Sequence, residues 1–167
     1  MTKQEIIDAL KLEDFSPVYR EADRIRKEVK GDDVFVRSII EFSNYCKREC
    51  KYCGINCHNQ NVKRYRMPLD EIVETAAQAI AAGYRTIVLQ SGEDPYFNND
   101  NAKRLGEVVS AIRALPTAYD PEPDGSQPIL DITMSTGELP YEALAHLKEC
   151  GATRYLLRHE TSDPDLY

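Results

Sequence analysis

Four of the five cysteines in this chain fall within twelve positions of the stretch EFSNYCKRECKYCGINCHNQNVKRYRM (residues 41–67). Cys46, Cys50 and Cys53 have the spacing C-x3-C-x2-C, which lets one short loop supply a thiolate to each of three irons of a 4Fe-4S cluster and leaves the fourth iron open. A zinc site would instead need a closed tetrahedron, and Cys57 or His58 could supply its fourth ligand. The loop spacing and the softness of the ligands favour the iron–sulfur cluster.

Composition and charge narrow the classes of function. The 167 residues are 42% hydrophobic and 29% charged, which is ordinary for one globular domain. The net charge of −7 argues against nucleic-acid and anionic-membrane binding, because both gain affinity from excess Lys and Arg. No apolar run could cross a bilayer, and the acidic, amphipathic start differs from a signal peptide. We therefore expect a cytoplasmic protein with a small-molecule or protein partner, whose clustered cysteines bind metal rather than form disulfides.

The remaining sequence predicts strands that alternate with helices. An N-terminal helical region (residues 1–32) includes a helix with Ser16 as its N-cap, Pro17 at its first position and Gly31 at its end. Periodicity and β-propensity then predict four strands separated by three helices. The strands are residues 34–42, RTIVLQSGED, ILDITMSTGE and TRYLLRHETS; the helices are PLDEIVETAAQAIAAG, residues 101–115 and PYEALAHLKECG. This alternation indicates an α/β protein with a parallel sheet, either a small open sheet or half of a (β/α) barrel.

Each predicted strand is followed by an unusual polar motif. The cysteines follow the first strand, SGED the second, STGE the third and RHET the fourth. In a (β/α) barrel, functional residues lie at the C-terminal ends of the strands, so this coincidence favours the N-terminal half of a TIM-type barrel over residues 33–167. Because no helix follows the fourth strand, we expect the sequence to be truncated at its C-terminus and to have little activity alone.

The cysteine stretch resembles the signature of the radical S-adenosylmethionine (radical SAM) superfamily, C-x3-C-x-aromatic-C, with Tyr52 before the last cysteine. SGED resembles the Gly-Gly-Glu element of that superfamily, with Ser91 in place of the first glycine. More narrowly, IIEFSNYC, CKYCG, KRYRM, TIVLQSGEDPY and RYLLRHET resemble the HydE branch of FeFe-hydrogenase maturases and, less closely, biotin synthase and methylornithine synthase. The resemblance covers residues 35–167 and only the first half of such an enzyme.

This resemblance implies that Cys46, Cys50 and Cys53 hold a 4Fe-4S cluster that cleaves SAM to a 5′-deoxyadenosyl radical. It also implies a set of cofactor-binding residues: Tyr52 at the adenine, Ser91, Gly92 and Glu93 at the amino group, Arg158 at the carboxylate, and Glu160 at the ribose hydroxyls. The implied substrate is a small iron precursor that carries carbon monoxide, cyanide and cysteine. The implied partners are a reducing electron donor such as ferredoxin or flavodoxin and the other hydrogenase maturases.

Simpler interpretations stay open for these residues. Glu93 could be a solvated loop carboxylate, and Arg158 with Glu160 could form a weak surface ion pair. A non-enzymatic zinc or iron–sulfur module would use Cys57 as its fourth ligand and would not bind SAM, whereas a relative of methylornithine synthase or biotin synthase would differ in substrate. The basic residues around the cysteines could form a solvated face, offset the negative charge of the thiolates and the cluster, or dock an acidic electron donor. They are Lys47, Arg48, Lys51, Lys63, Arg64 and Arg66.

Overall fold

The computed structural model describes residues 2–117, 119–121, 125–126, 128–160, 163 and 165. The chain divides into two compact units, residues 1–35 and residues 36–167. Within the described residues, no helix has the length and apolar character needed to span a membrane.

The first unit contains the helices α1 (Lys3–Leu10) and α2 (Ser16–Lys30). A capping box begins α1, in which the side chain of Thr2 accepts a hydrogen bond from the N–H of Glu5 and the Glu5 carboxylate accepts one from the N–H of Thr2. The prediction that Ser16 is the N-cap of α2 is wrong, because Phe15 occupies that position and Ser16 is already helical. The side chain of Asp14 accepts the N–H of Ser16 instead, at 2.9 Å.

The second unit is a four-stranded parallel sheet in the order β1-β2-β3-β4, with a helix between each pair of neighbouring strands. The elements are β1 (Ser38–Ser43), α3 (Leu69–Ala81), β2 (Thr86–Ser91), α4 (Pro95–Arg113), β3 (Asp131–Ser135), α5 (Tyr141–Glu149) and β4 (Arg154–Tyr155). The predicted order of elements and the parallel sheet are thus confirmed. The first strand is shorter than the predicted residues 34–42 and the last contains two residues.

The core lies between the sheet and the helices. Alternate residues of the strands point to one face of the sheet, so that Ile40 and Phe42 in β1 and Leu89 in β2 are buried against the helices. The helices contribute apolar residues at helical spacing, and the largest fully buried ones include Ile72, Leu105, Val108, Val109, Ile112 and Leu147. Burial of these side chains fixes the sheet, and with it the positions of the loops at the strand ends.

Helix α4 differs from its prediction. It begins at Pro95, with Asp94 as the N-cap, and is broken by non-helical residues from Asn99 to Ala102 before it continues to Arg113. The residues from Asp100 to Ala102 have positive φ angles of 53°, 53° and 58°. Asp and Asn tolerate this left-handed region better than Ala does, and propensity alone gives no signal for such a break.

Candidate functional site

A cavity of about 240 Å³ opens where β1, β2 and β3 end. Its walls come from the loop after β1, the turn after β2, the loop after β3 and the segment after β4. Parallel strands all end at the same edge of a sheet, so motifs that are far apart in the sequence meet there. The cavity lining includes all nine site residues that the sequence analysis predicted, namely Cys46, Cys50, Tyr52, Cys53, Ser91, Gly92, Glu93, Arg158 and Glu160.

Three cysteines of the loop after β1, the cysteine loop (residues 44–66), reach the cavity. Cys46, Cys50 and Cys53 are free, half-buried thiols that line it. The N–H of Cys53 donates to the carbonyl of Cys50 at 3.0 Å, and the N–H of Arg48 donates to Sγ of Cys46 at 3.4 Å. Cys57 is exposed and does not line the cavity. The loop therefore presents three thiols to the cavity and a fourth to solvent.

Arg64 binds the backbone of the cysteine loop from within. Its guanidinium donates hydrogen bonds to the carbonyls of Ile55 at 2.8 Å, Asn56 at 2.6 Å and Asn59 at 3.2 Å, and also to the carbonyl of Asn44. These carbonyls come from both limbs of the loop. The planar guanidinium, with its five N–H donors, can bind several carbonyls at once in a way that a lysine cannot.

Arg66 and Asp94 join the end of the cysteine loop to the end of β2. Nε and Nη2 of Arg66 lie 2.7 and 2.9 Å from the two carboxylate oxygens of Asp94, which is fully buried. Asp94 also accepts hydrogen bonds from Oγ of Ser43 at 2.6 Å and from the N–H of Tyr96 at 3.0 Å. The guanidinium of Arg66 lies 3.7 Å from the centre of the Tyr45 ring.

The pKa of Asp94 reflects two opposing effects. Burial raises it, but the hydrogen bonds from Arg66, Ser43 and the N–H of Tyr96, together with the charge of Arg66, lower it by more. The net result is a pKa below the ordinary value of 3.8. Asp94 is therefore an ionised, fully hydrogen-bonded anchor between two loops.

Glu93 places a second buried carboxylate in the cavity. Oε1 accepts the N–H of Glu138 at 2.9 Å, whereas Oε2 has no hydrogen-bond partner among the described residues. Two cationic side chains form ion pairs with Oε2, because Nε of Arg48 lies 2.8 Å and Nζ of Lys47 lies 3.5 Å from it. Neither contact has the alignment of a hydrogen bond. The Glu93 residue is only 6% exposed, so the interpretation as a solvated loop carboxylate is wrong. Oε2 is therefore ion-paired but accepts no hydrogen bond from the described residues, so it is suited to accept one from a cationic ligand.

Two glycines allow the turns around Glu93 to approach each other. A Cβ at Gly92 would lie 2.4 Å from the carbonyl oxygen of Tyr45 and 2.7 Å from Cβ of Cys46. A Cβ at Gly137, whose φ is +84°, would lie 1.9 Å from Cγ of Glu93. Larger residues at these positions would push the turn after β2 away from the cysteine loop and would displace the Glu93 side chain.

The other predicted residues also line the cavity. Tyr52 lines it with about half of its surface exposed, and Oγ of Ser91 donates to the carbonyl of Gly92 at 2.7 Å. Arg158 donates to the side-chain oxygen of Gln90 rather than pairing with Glu160. Gln90 in turn donates to the carboxylate of Glu41 at 2.9 Å.

Three arginines of the site were predicted only as members of the basic group around the cysteines, without individual partners. Arg64 and Arg66 belong to KRYRM. Arg48 bridges Glu93 and Glu138, and its pKa is raised chiefly by its interaction with Glu93. These three arginines each have hydrogen-bond or ion-pair partners within the site. Their positions in the sequence are the signal that could have identified them. Arg48 lies between two of the clustered cysteines, and Arg64 and Arg66 follow the cluster in the motif KRYRM.

The sequence matches the family model of the Radical SAM superfamily over residues 40–167. The chain is 43% identical to the [FeFe] hydrogenase maturase subunit HydE of Thermotoga maritima, over 99% of this chain and 44% of that protein. It is 35% identical to 3-methylornithine synthase of Methanosarcina barkeri, over 90% of this chain and 39% of that protein. The chain spans less than half the length of these relatives.

The fold has solved counterparts. The crystal structure of methylornithine synthase (PylB) matches with a TM-score of 0.82 and 32% sequence identity, and the match covers 99% of this chain and 46% of that chain. Together with the parallel sheet described above, this match confirms the predicted fold class, in which the strands and outer helices are part of a TIM-type radical SAM barrel.

Replacement of Asp94 by Asn should destabilise the protein by about 3 kcal/mol at neutral pH, because it leaves the partly buried Arg66 without its counter-charge. Since the pKa of Asp94 is lowered in the folded protein, its stabilising contribution is present above pH 3.8 and is lost as the pH falls below that value. The difference in the free energy of unfolding between the wild type and Asp94→Asn, measured by denaturant unfolding, should therefore shrink towards pH 3.

Asp131 provides the matched control for this experiment. Its ion pair with Arg154, at 3.0 Å, is largely exposed on the arginine side, so Asp131→Asn should cost less than about 1 kcal/mol. Equal losses in the two variants, or a loss in Asp94→Asn that does not change with pH, would contradict the anchoring role.

Replacement of Arg64 by Lys should loosen the cysteine loop while leaving the sheet intact, because one ammonium cannot reach all four carbonyls. Hydrogen exchange at the amide of Cys57, which bonds to the carbonyl of Arg48, should accelerate about tenfold or more, since a charged hydrogen bond is worth about 1.5–3 kcal/mol. The neighbouring variant Lys63→Gln should leave this exchange rate unchanged. An unchanged rate in Arg64→Lys would show that the loop is held in another way.

Proposed function

The chain belongs to the radical SAM superfamily, and from that premise we propose that Cys46, Cys50 and Cys53 hold a 4Fe-4S cluster whose open iron binds SAM. The observation that carries this proposal is that three free, half-buried thiols line the same cavity as a buried carboxylate whose Oε2 accepts no hydrogen bond from the described residues. When bound and reduced, the cluster supplies one electron that cleaves SAM to methionine and a 5′-deoxyadenosyl radical.

The role proposed for Glu93 is to accept the amino group of SAM. Oε2 is the buried oxygen without a hydrogen-bond partner, and the ammonium of an amino acid supplies the missing donors. Oε1 is held by the N–H of Glu138, which fixes the orientation of the carboxylate. Arg48 and Lys47 form ion pairs with Oε2, with nitrogen–oxygen distances of 2.8 and 3.5 Å.

The rest of the cavity would bind the other groups of SAM. Arg158 offers guanidinium donors to the carboxylate, and its bond to Gln90 directs the side chain across the sheet edge. Glu160 offers acceptors for the ribose hydroxyls, and the exposed ring of Tyr52 offers a face on which adenine can stack. Ser91 and Gly92 form the turn that brings Glu93 to the cluster ligands.

For the whole protein, we propose a role in FeFe-hydrogenase maturation of the HydE type. The identity of 43% to the HydE maturase, compared with 35% to 3-methylornithine synthase, supports this choice. The proposed substrate is a small iron precursor that carries carbon monoxide, cyanide and cysteine, and the proposed partners are a ferredoxin or flavodoxin and the other maturases. The free, clustered thiols support a reducing, cytoplasmic location.

A methylornithine synthase type of reaction is the second candidate. The TM-score of 0.82 to the PylB structure supports it. The two candidates share the cluster and SAM and differ in substrate.

The decisive test of the cluster is electron paramagnetic resonance of the reduced, anaerobically reconstituted full-length protein, with and without SAM. A 4Fe-4S signal that changes when SAM is added is expected, because SAM would bind the open iron. Cys50→Ala should abolish the intact cluster signal, whereas Cys57→Ser should keep both the signal and its response. A signal that is indifferent to SAM, or a protein that holds zinc in the three cavity thiols and no cluster, would refute the proposal.

Replacement of Glu93 by Gln should weaken SAM binding by about 10-fold to 100-fold, because a charge-assisted hydrogen bond worth about 1.5–3 kcal/mol is lost. Equilibrium dialysis of SAM against the reconstituted protein measures this affinity, and the iron content shows whether the cluster is intact. Glu142→Gln, on the exposed side of α5, is the control with the same chemical change. Full affinity in Glu93→Gln would remove Glu93 from the proposed SAM site.

A further inference from the structure

Cys57, which the proposed cluster does not use, lies beside two other potential metal ligands on the outer surface of the cysteine loop. Sγ of Cys57, a ring nitrogen of His58 and a carboxylate oxygen of Glu49 all lie within 4.8 Å of one another. Nε2 of His58 is 3.1 Å from Oε1 of Glu49. All three residues are exposed, and none of them lines the cavity. We propose that this Glu-Cys-His trio is a second metal site, which binds Zn²⁺.

The backbone of the loop brings these ligands together. The N–H of Cys57 donates to the carbonyl of Arg48 at 2.9 Å, which places residue 57 beside residue 49. The side-chain oxygen of Asn56 accepts the N–H of His58 at 3.0 Å, and its Nδ2 donates to the carbonyl of Cys53 at 2.7 Å. The turn that carries two of the ligands is therefore fixed by hydrogen bonds before metal binds, which lowers the entropy cost of binding.

The ligand chemistry points to zinc. A thiolate, an imidazole and a carboxylate are the three ligand types that Zn²⁺ takes in proteins, at about 2.0–2.3 Å from the metal. In a tetrahedral site such ligands lie about 3.3–3.8 Å apart, so rotation of exposed side chains is enough to close the trio around an ion. Ca²⁺ and Mg²⁺ prefer sites whose ligands are all oxygen atoms, so the thiolate and the imidazole of this trio disfavour both cations. A water molecule would take the fourth position.

A metal bound at this site would stabilise the cysteine loop. Glu49 directly precedes Cys50, and Cys57 follows Cys53 by four residues, so a metal on the outer surface would link the two ends of the segment that carries two proposed cluster ligands. The site requires neither the cluster nor SAM. The contact between Glu49 and His58 alone would be an exposed polar contact of little stability, whereas the third ligand makes the group able to chelate a metal.

The pair of His146 and Cys150 provides a contrast within the same chain. Sγ of Cys150 is 3.7 Å from Nε2 of His146, and both side chains pack against Gly106. Among the residues that the structure describes, no third metal-ligating side chain joins this pair. Cys150→Ser is therefore the matched control for Cys57→Ser, because each change removes one thiol beside a histidine.

The test uses the full-length protein with its cluster reconstituted, dialysed anaerobically against buffered Zn²⁺ and analysed for zinc and iron by mass spectrometry. We expect one zinc per chain with no loss of iron. Zinc affinity should fall at least tenfold in Cys57→Ser and in His58→Ala and should be unchanged in Cys150→Ser. X-ray absorption at the zinc edge should show one sulfur ligand at about 2.3 Å together with nitrogen or oxygen ligands.

Three results would overturn the proposal: no zinc uptake, zinc uptake that Cys57→Ser and His58→Ala leave unchanged, or zinc uptake accompanied by an equivalent loss of iron. The last would mean that zinc enters through the thiols of the cavity. Iron content and the SAM response of the cluster signal are read separately, so a failure of the zinc site is distinguishable from a failure of the proposed cluster.

Discussion

The buried ion pair between Arg66 and Asp94 is the interaction on which the geometry of the site depends. A carboxylate with no exposed surface is costly unless its charge and its lone pairs are satisfied, and Asp94 satisfies them with donors from three separate segments. It thereby joins the end of β1, the end of the cysteine loop and the start of α4. Glu93 and Gly92 immediately precede this anchor, so their contacts with the cysteine loop follow from it.

Arginine has a structural role around this cavity that a count of positive charges does not reveal. Arg64 binds carbonyls, Arg66 binds a buried carboxylate and Arg48 bridges two carboxylates at the cavity wall. Each uses the fixed geometry of the guanidinium to contact several acceptors at once.

The cysteine loop has two chemically different surfaces. Its inner surface presents the three half-buried thiols of the C-x3-C-x2-C motif, and its outer surface presents one exposed thiol beside an imidazole and a carboxylate. Because the fourth cysteine lies on the other surface, the four cysteines do not form one four-ligand site. A three-thiol inner site leaves room for a cofactor to complete the coordination, which a closed tetrahedral zinc centre would not.

The sequence by itself determined the order of strands and helices, the parallel sheet, and the motifs that line the cavity. Apolar periodicity marks buried faces, as in α3, and strand ends that carry polar residues mark the functional edge of an α/β sheet. These signals depend on residues within a few positions of each other, so one sequence is enough to read them. The bounds of β1 and β4 were less accurate because pairing with neighbouring strands decides where a strand begins and ends.

Only the tertiary structure decided which side of the loop each cysteine faces, which arginines have partners within the site, and which oxygen of Glu93 accepts no hydrogen bond from the described residues. It also decided that Phe15 rather than Ser16 precedes α2, and that α4 contains a break. The contacts of Arg66 with Asp94 and of Glu93 with Glu138 join residues 28 and 45 positions apart. The strength of such contacts depends on distance, alignment and burial in three dimensions, and none of these quantities is encoded in local spacing.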